Sequence, residues 1–183
     1  MTLQTNFTLA QIGEILDKNP STLRTHINRG LVVGQGPRNS SGDKPAGKHV
    51  RFSYYTLMEF ALAYEMANLG VQLESAFKYA ADFAHAGGGG AGLPERLPAL
   101  PFHHSHGITI FAAGTRGTTE DLMKPRESYD TLGNLLQNTG GGKMIVVDAS
   151  DLFNRLCGSI NAITGRRMHP YEVLDAEYQD PAT

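Results

Sequence analysis

Asn19-Pro20-Ser21-Thr22-Leu23-Arg24-Thr25-His26-Ile27-Asn28-Arg29-Gly30-Leu31-Val32 is the stretch on which the fold turns. Pro20 suits the first turn of a helix, where its missing N–H has no helical partner to lose, and Asn19 is placed to cap it. Leu23 and Ile27 stand four apart and share one inward stripe. Ser21, Thr22, Arg24, Thr25, Asn28 and Arg29 fall on the remaining faces as a short polar and basic surface, and Gly30 ends the helix as a glycine in the C′ position does. A helix of this kind, carried by a compact helical pair, has the dimensions of the DNA major groove.

The preceding segment supplies the pair. Leu9, Ile12 and Leu16 repeat at helical spacing, with Thr8 and Gln11 set as a capping box and Asp17-Lys18-Asn19 as a sharp turn. Beyond the second helix, Val32-Val33 and His49-Val50-Arg51-Phe52 flank a Gly-, Pro-, Ser- and Lys-rich stretch from Gly34 to Lys48. That pattern predicts a hairpin with a long tip, or wing, spanning 33–51. A helix opening at Ser53, with Leu57, Phe60, Ala61 and Tyr64 on one face, then turns at Asn68-Leu69-Gly70 into another amphipathic helix running to His85.

Across its first 85 or so residues the chain resembles the MerR-type winged helix-turn-helix family. The resemblance rests on Thr8 to Leu16 with its turn, and on Ser21-Thr22-Leu23-Arg24 followed by Gly30-Leu31. Arg51-Phe52-Ser53 and Leu69-Gly70 with Leu73-Glu74 complete it, all in the family's order. It implies that Arg24 and Arg51 clamp phosphates. Thr25 and His26 occupy positions where many members carry aromatic residues. Two departures stand out: the wing is longer than usual, and Gly87-Gly88-Gly89-Gly90-Ala91-Gly92 replaces the start of the family's long dimerisation helix.

Charge is unevenly distributed. The chain carries 16 Lys and Arg against 18 Asp and Glu, a net of −2, so it is no bulk polycation. Between Asp17 and Phe52, however, seven basic residues (Lys18, Arg24, Arg29, Arg38, Lys44, Lys48 and Arg51) face two acids, and from Ala86 onward eight basic residues face eleven acids. A basic N-terminal surface beside an acidic C-terminal part is the distribution a DNA reader needs. The small number of cations implies modest affinity per chain, which a homodimer on two half-sites would raise. A single cysteine, Cys157, excludes an intrachain disulfide, and its place on an apolar helix face predicts a buried, inert thiol. With neither a membrane-length apolar run nor a secretory-type N-terminus, a cytoplasmic protein without membrane contact is expected.

Three regions follow: 1–86 as the winged-helix unit, 87–101 as a Gly/Pro linker, and 102–183 as a small α/β module. The expected class is therefore α+β. Neither glycine run is a phosphate loop, since prolines follow the first and Gly140-Gly141-Gly142-Lys143 leads into the apolar run Met144-Ile145-Val146-Val147. In the C-terminal part, 107–113 and 143–147 read as strands. A helix over 127–138, with Tyr129, Leu132, Leu135 and Leu136 at helical spacing, lies between them, and a second helix is capped by Ser150. Two strands and two helices make a thin core, which predicts that this module completes itself against the winged helix or, preferentially, a second copy.

His103-His104-Ser105-His106 has no second cluster in the sequence to complete a metal set and is read as a solvated strand entry, so no metal and no cofactor are expected. Asp148 and Asp151 lie past a strand end without a nucleophile or base beside them, and no enzyme is expected.

The expectation is a sequence-specific double-stranded DNA-binding protein of bacterial or phage type, a transcriptional regulator acting as a homodimer. Ser21, Thr22, Thr25 and Asn28 would meet base edges, Arg29 bases or phosphates, and Arg24, Lys44, Lys48 and Arg51 phosphates, with His26 as an additional contact. The same motif also fits a packaging protein like the small terminase subunit, an excisionase-like architectural protein, or a non-enzymatic adaptor that engages RNA polymerase.

Overall fold

The computed structural model of the chain describes residues 5–33, 50–90, 92–123, 128–140 and 143–178. The predicted helical pair is present. Helix α1 (Leu9–Ile15) begins at Thr8, whose hydroxyl accepts from Gln11 N at 3.2 Å while the Gln11 carboxamide accepts from Thr8 N at 2.9 Å. It ends in a left-handed turn at Asp17 (φ 51°), with Lys18 N donating to Gly13 O at 2.8 Å. Gly13 has no room for a side chain, because a Cβ there would lie 2.6 Å from Lys18 O. Helix α2 (Pro20–Asn28) follows, with Asn19 accepting from Ser21 N at 2.9 Å. Gly30 adopts φ 72° at its end, and Leu31 N closes onto His26 O at 3.1 Å.

Helix α3 (Tyr54–Asn68) is the central element. Ten of its residues are buried, among them Leu57, Phe60 and Leu62, so it is covered on nearly every side. Helix α4 (Leu73–His85) packs along it, and Phe60, Tyr64 and Phe77 interlock through ring contacts of 5.5–6.3 Å between centroids. The predicted hairpin falls mostly on residues outside those described. Of its flanks, Phe52 forms an antiparallel bridge with Phe7 rather than with Val32 or Val33.

Part of the stretch expected to be a flexible linker is packed: Arg96, Ala99, Leu100 and Pro101 are buried, while Gly87, Gly89, Gly90, Gly92 and Glu95 are exposed. Strands β1 (Gly88–Gly90) and β2 (Leu93–Arg96) form a small antiparallel ribbon. Ala99 and Leu100 are fully buried beyond it. The physical reason is Arg96, which has no exposed surface. Its guanidinium donates to the carbonyls of Phe83, Leu97, Leu100 and Ala86 at 2.8–3.2 Å, pairs with Glu120, and covers the Phe83 ring at 4.1 Å. Gly88 faces this pair so closely that a Cβ would collide with the Glu120 carboxylate.

After one 3-10 turn at His104–His106 comes a three-stranded antiparallel sheet of β3 (Ile108–Gly114), β4 (Gly117–Met123) and β5 (Met144–Asp148), in the order β4-β3-β5. Helix α5 (Ser128–Asn138) covers one face, where Ile110, Ala112 and Leu135 form a small core. Helix α6 (Ala149–Thr164) covers the other, and α7 (Pro170–Glu177) is the last helix among the described residues. Asp148, not Ser150, caps α6 by accepting from Asp151 N at 2.8 Å, while Ser150 Oγ accepts from Thr109 N at 2.9 Å on β3.

The apolar face of α6 (Leu152, Phe153, Leu156, Cys157 and Ile160) belongs to the same continuous core as Ile12, Ile15 and Leu57. The core shortfall expected of the C-terminal part is thus met within the chain, by α1 and α3. The fold is mixed α+β, and among the described residues no helix is long and apolar enough to cross a membrane.

Candidate nucleic-acid interface

Helix α2 is fixed from below by Leu23 and Ile27, which are 0% and 5% exposed. Its stripe has a third member, His26, at 7% exposure. The ring sits against Phe77 and Tyr64 with centroids at 5.5 and 6.0 Å, and its Nδ1 is buried without a hydrogen-bond partner among the described residues. Burial lowers its pKa, and the Arg29 charge lowers it further. His26 is therefore a core residue, which corrects the expectation that it meets a duplex. The signal was in the spacing, since 23, 26 and 27 form one i, i+3, i+4 stripe.

The other α2 residues point outward. Ser21, Thr22, Arg24, Thr25, Asn28 and Arg29 are all exposed. Asn28 presents an amide with donor and acceptor together, the group that can pair bidentately with adenine. Thr25 Oγ1 donates to Ser21 O at 3.0 Å, which leaves its lone pairs and methyl facing out. Arg29 Nη2 pairs with Glu74 Oε1 at 2.9 Å in the first turn of α4, both side chains being well exposed. In water such a pair contributes little, so Arg29 can exchange Glu74 for a phosphate at small cost. Arg51 is exposed beside the Phe7–Phe52 bridge. Lys44 and Lys48 lie outside the described residues.

A second polar group lies behind this surface. Glu59, with no exposed side-chain area, accepts from Val33 N at 2.9 Å and meets His85 Nε2 at 2.8 Å. Burial raises its pKa against the opposing effect of these two bonds. The contact holds the chain at the last residue before 34–49.

In the C-terminal part of the chain the histidine run is not a bare strand entry. His103 and His104 converge on Asp175 of α7, a partner 72 and 71 residues away that sequence spacing did not reveal. His104 also lines a cleft of about 440 Å³ with Tyr171, Asp148, Asp151 and Asn154. Asp148 is used as the α6 cap, and Asp151 pairs with Arg155 at 2.8 Å.

Comparison with protein-family models gives no match, and comparison with curated proteins gives none either.

Proposed function

We propose that the chain is a sequence-specific double-stranded DNA-binding protein with a MerR-like winged helix-turn-helix, in which α2 enters the major groove and the segment 33–51 lies along the backbone. One observation carries this proposal. The polar residues of α2 all face solvent, while its apolar stripe and His26 anchor it to α3 and α4. Ser21, Thr22, Thr25 and Asn28 then meet base edges, Arg24 and Arg51 hold phosphates, and Arg29 does so after leaving Glu74. Lys44 and Lys48 would add backbone charge from the wing.

Regulation of transcription by a homodimer is part of the proposal. Few cations per chain favour two copies on two half-sites, and Leu132 and Val146, 51% and 40% exposed on α5 and β5, offer apolar surface for a second copy.

The test is selection of duplexes from a random pool, followed by anisotropy titrations of the enriched and a scrambled duplex between 50 and 200 mM salt. Preference for the enriched duplex, with affinity falling steeply as salt rises, supports the proposal. Absence of any salt-sensitive DNA affinity overturns it in favour of an adaptor role toward RNA polymerase. Binding with strong bending but no sequence preference would instead indicate an architectural protein.

A further inference from the structure

We infer that His103, His104 and Asp175 form a binding site for one divalent first-row transition-metal ion, of the zinc, nickel or cobalt type. This inference is independent of DNA binding. The two imidazoles present Nε2 atoms to a single carboxylate oxygen, at 2.9 Å from His103 and 2.8 Å from His104. All three ligand atoms lie within 4.8 Å of one another. Ligands at metal bonds of about 2.0–2.1 Å lie roughly 3 Å apart in cis positions, and each imidazole nitrogen already stands at about that separation from the carboxylate oxygen.

The surroundings favour ligation. His103 Nδ1 accepts from Ser105 N at 3.3 Å and lies 2.7 Å from Ser105 Oγ, which orients the ring and offers an acceptor for an Nδ1 proton once Nε2 ligates an ion. The His104 ring lies against Tyr171, with centroids 4.6 Å apart. Asp175 stands in the last turn of α7, where the helix dipole disfavours a carboxylate, so a cation there has a favourable field. Without an ion, one carboxylate oxygen must accept from two Nε2–H groups. When an ion binds, the Nε2 proton of each neutral ring moves to its own Nδ1, or that of a doubly protonated ring passes to solvent, and the same three atoms become ligands. Imidazole with one carboxylate suits zinc, nickel and cobalt rather than calcium or magnesium, and the exposed side of the set leaves positions for water.

The ion would clip α7 to the turn that leads into β3. Isothermal titration of the full chain, freed of metal by chelator, with Zn²⁺ tests this, together with the visible absorption of the Co²⁺ form. One ion per chain is expected. His104→Gln and Asp175→Asn should each weaken it at least tenfold and change the cobalt spectrum, while His169→Gln should leave both unchanged. Zn²⁺ should raise the Tm of the wild type more than that of either variant. Because these side chains are on the surface, metal-free Tm values close to wild type are expected for all three variants and separate lost ligation from lost fold. No uptake at millimolar Zn²⁺, or uptake unchanged in the His103→Gln/His104→Gln/Asp175→Asn triple variant, would overturn the site.

Discussion

Glu59 and His85 join α3 to the last turn of α4 through a 2.8 Å contact, and the same buried carboxylate holds the amide of Val33. A carboxylate without solvent is stabilised only by such partners. Glu59→Leu leaves the Val33 amide and the His85 ring unpaired, and should cost about 2–4 kcal/mol in urea denaturation. Glu59→Gln retains an acceptor for Val33 and should cost less than half as much. Equal losses for the two would show that the carboxylate's charge toward His85, and not the hydrogen bond from Val33, sets the cost at this position.

His26 makes stability sensitive to acid. Its folded pKa lies below the usual histidine value of 6.5, so the folded state favours the neutral ring. The stability it contributes is complete above the unfolded value and is lost as pH falls toward the folded one. His26→Phe keeps a ring against Phe77 and Tyr64 but cannot titrate. The variant should gain on the wild type as pH drops below about 6.5, measured as Tm against pH. Parallel curves would refute this.

Arg96 cannot be replaced by lysine without loss. A single ammonium lacks the planar fork that reaches four carbonyls and the Glu120 carboxylate. Arg96→Met should cost about 3–5 kcal/mol, because Glu120 loses its partner and the carbonyls lose their donors. Arg96→Lys should fall between Arg96→Met and the wild type, and Gly88→Ala should destabilise by pushing on Glu120. Urea midpoints for the three variants decide this order.

For the proposed DNA contacts, Arg24→Ala should weaken all duplexes alike and reduce the salt slope by about one. Asn28→Ala should cost about 1–3 kcal/mol on the preferred duplex and relax preference at one base pair. Both variants should keep the wild-type Tm, since both side chains are exposed. Unchanged binding in both would remove α2 as the recognition element.

Cys157 is fully buried, and burial pushes its thiol pKa up to about 12. It should resist thiol reagents at pH 8 in the native protein and react fully in denaturant. Rapid native labelling would falsify the packing of α6.

The N-terminal helices were legible because capping residues, glycine stops and apolar spacing agree there: Thr8 with Gln11, Asn19 with Pro20, Ser53 and Gly30 all act as their types imply. Legibility failed where a tertiary partner decides. Strand β4 (Gly-Thr-Thr-Glu-Asp-Leu-Met) was not expected from its polar residues, because Glu120 finds its partner Arg96 only in the fold. Helix α7 was missed although Pro170 and the Val173-Leu174 pair mark it. The glycine run looked like a tether, since nothing local shows that Arg96 will be buried beneath it. Of the candidate site, the exposed α2 residues were readable from periodicity. His26 was misassigned by its polarity, and the meeting of His103 and His104 with Asp175 depends on a contact across more than 70 residues.

The tight crossing between α1 and α2 has a consequence for how this chain can vary. Gly13 touches the backbone of Lys18, and the bond between them fixes the number of residues in the bend. One inserted residue would rotate α2 by about 100° about its own axis, turning Leu23 toward water and Thr22 and Thr25 away from it. The outward set can therefore be rewritten letter by letter, but the count that aims it cannot change.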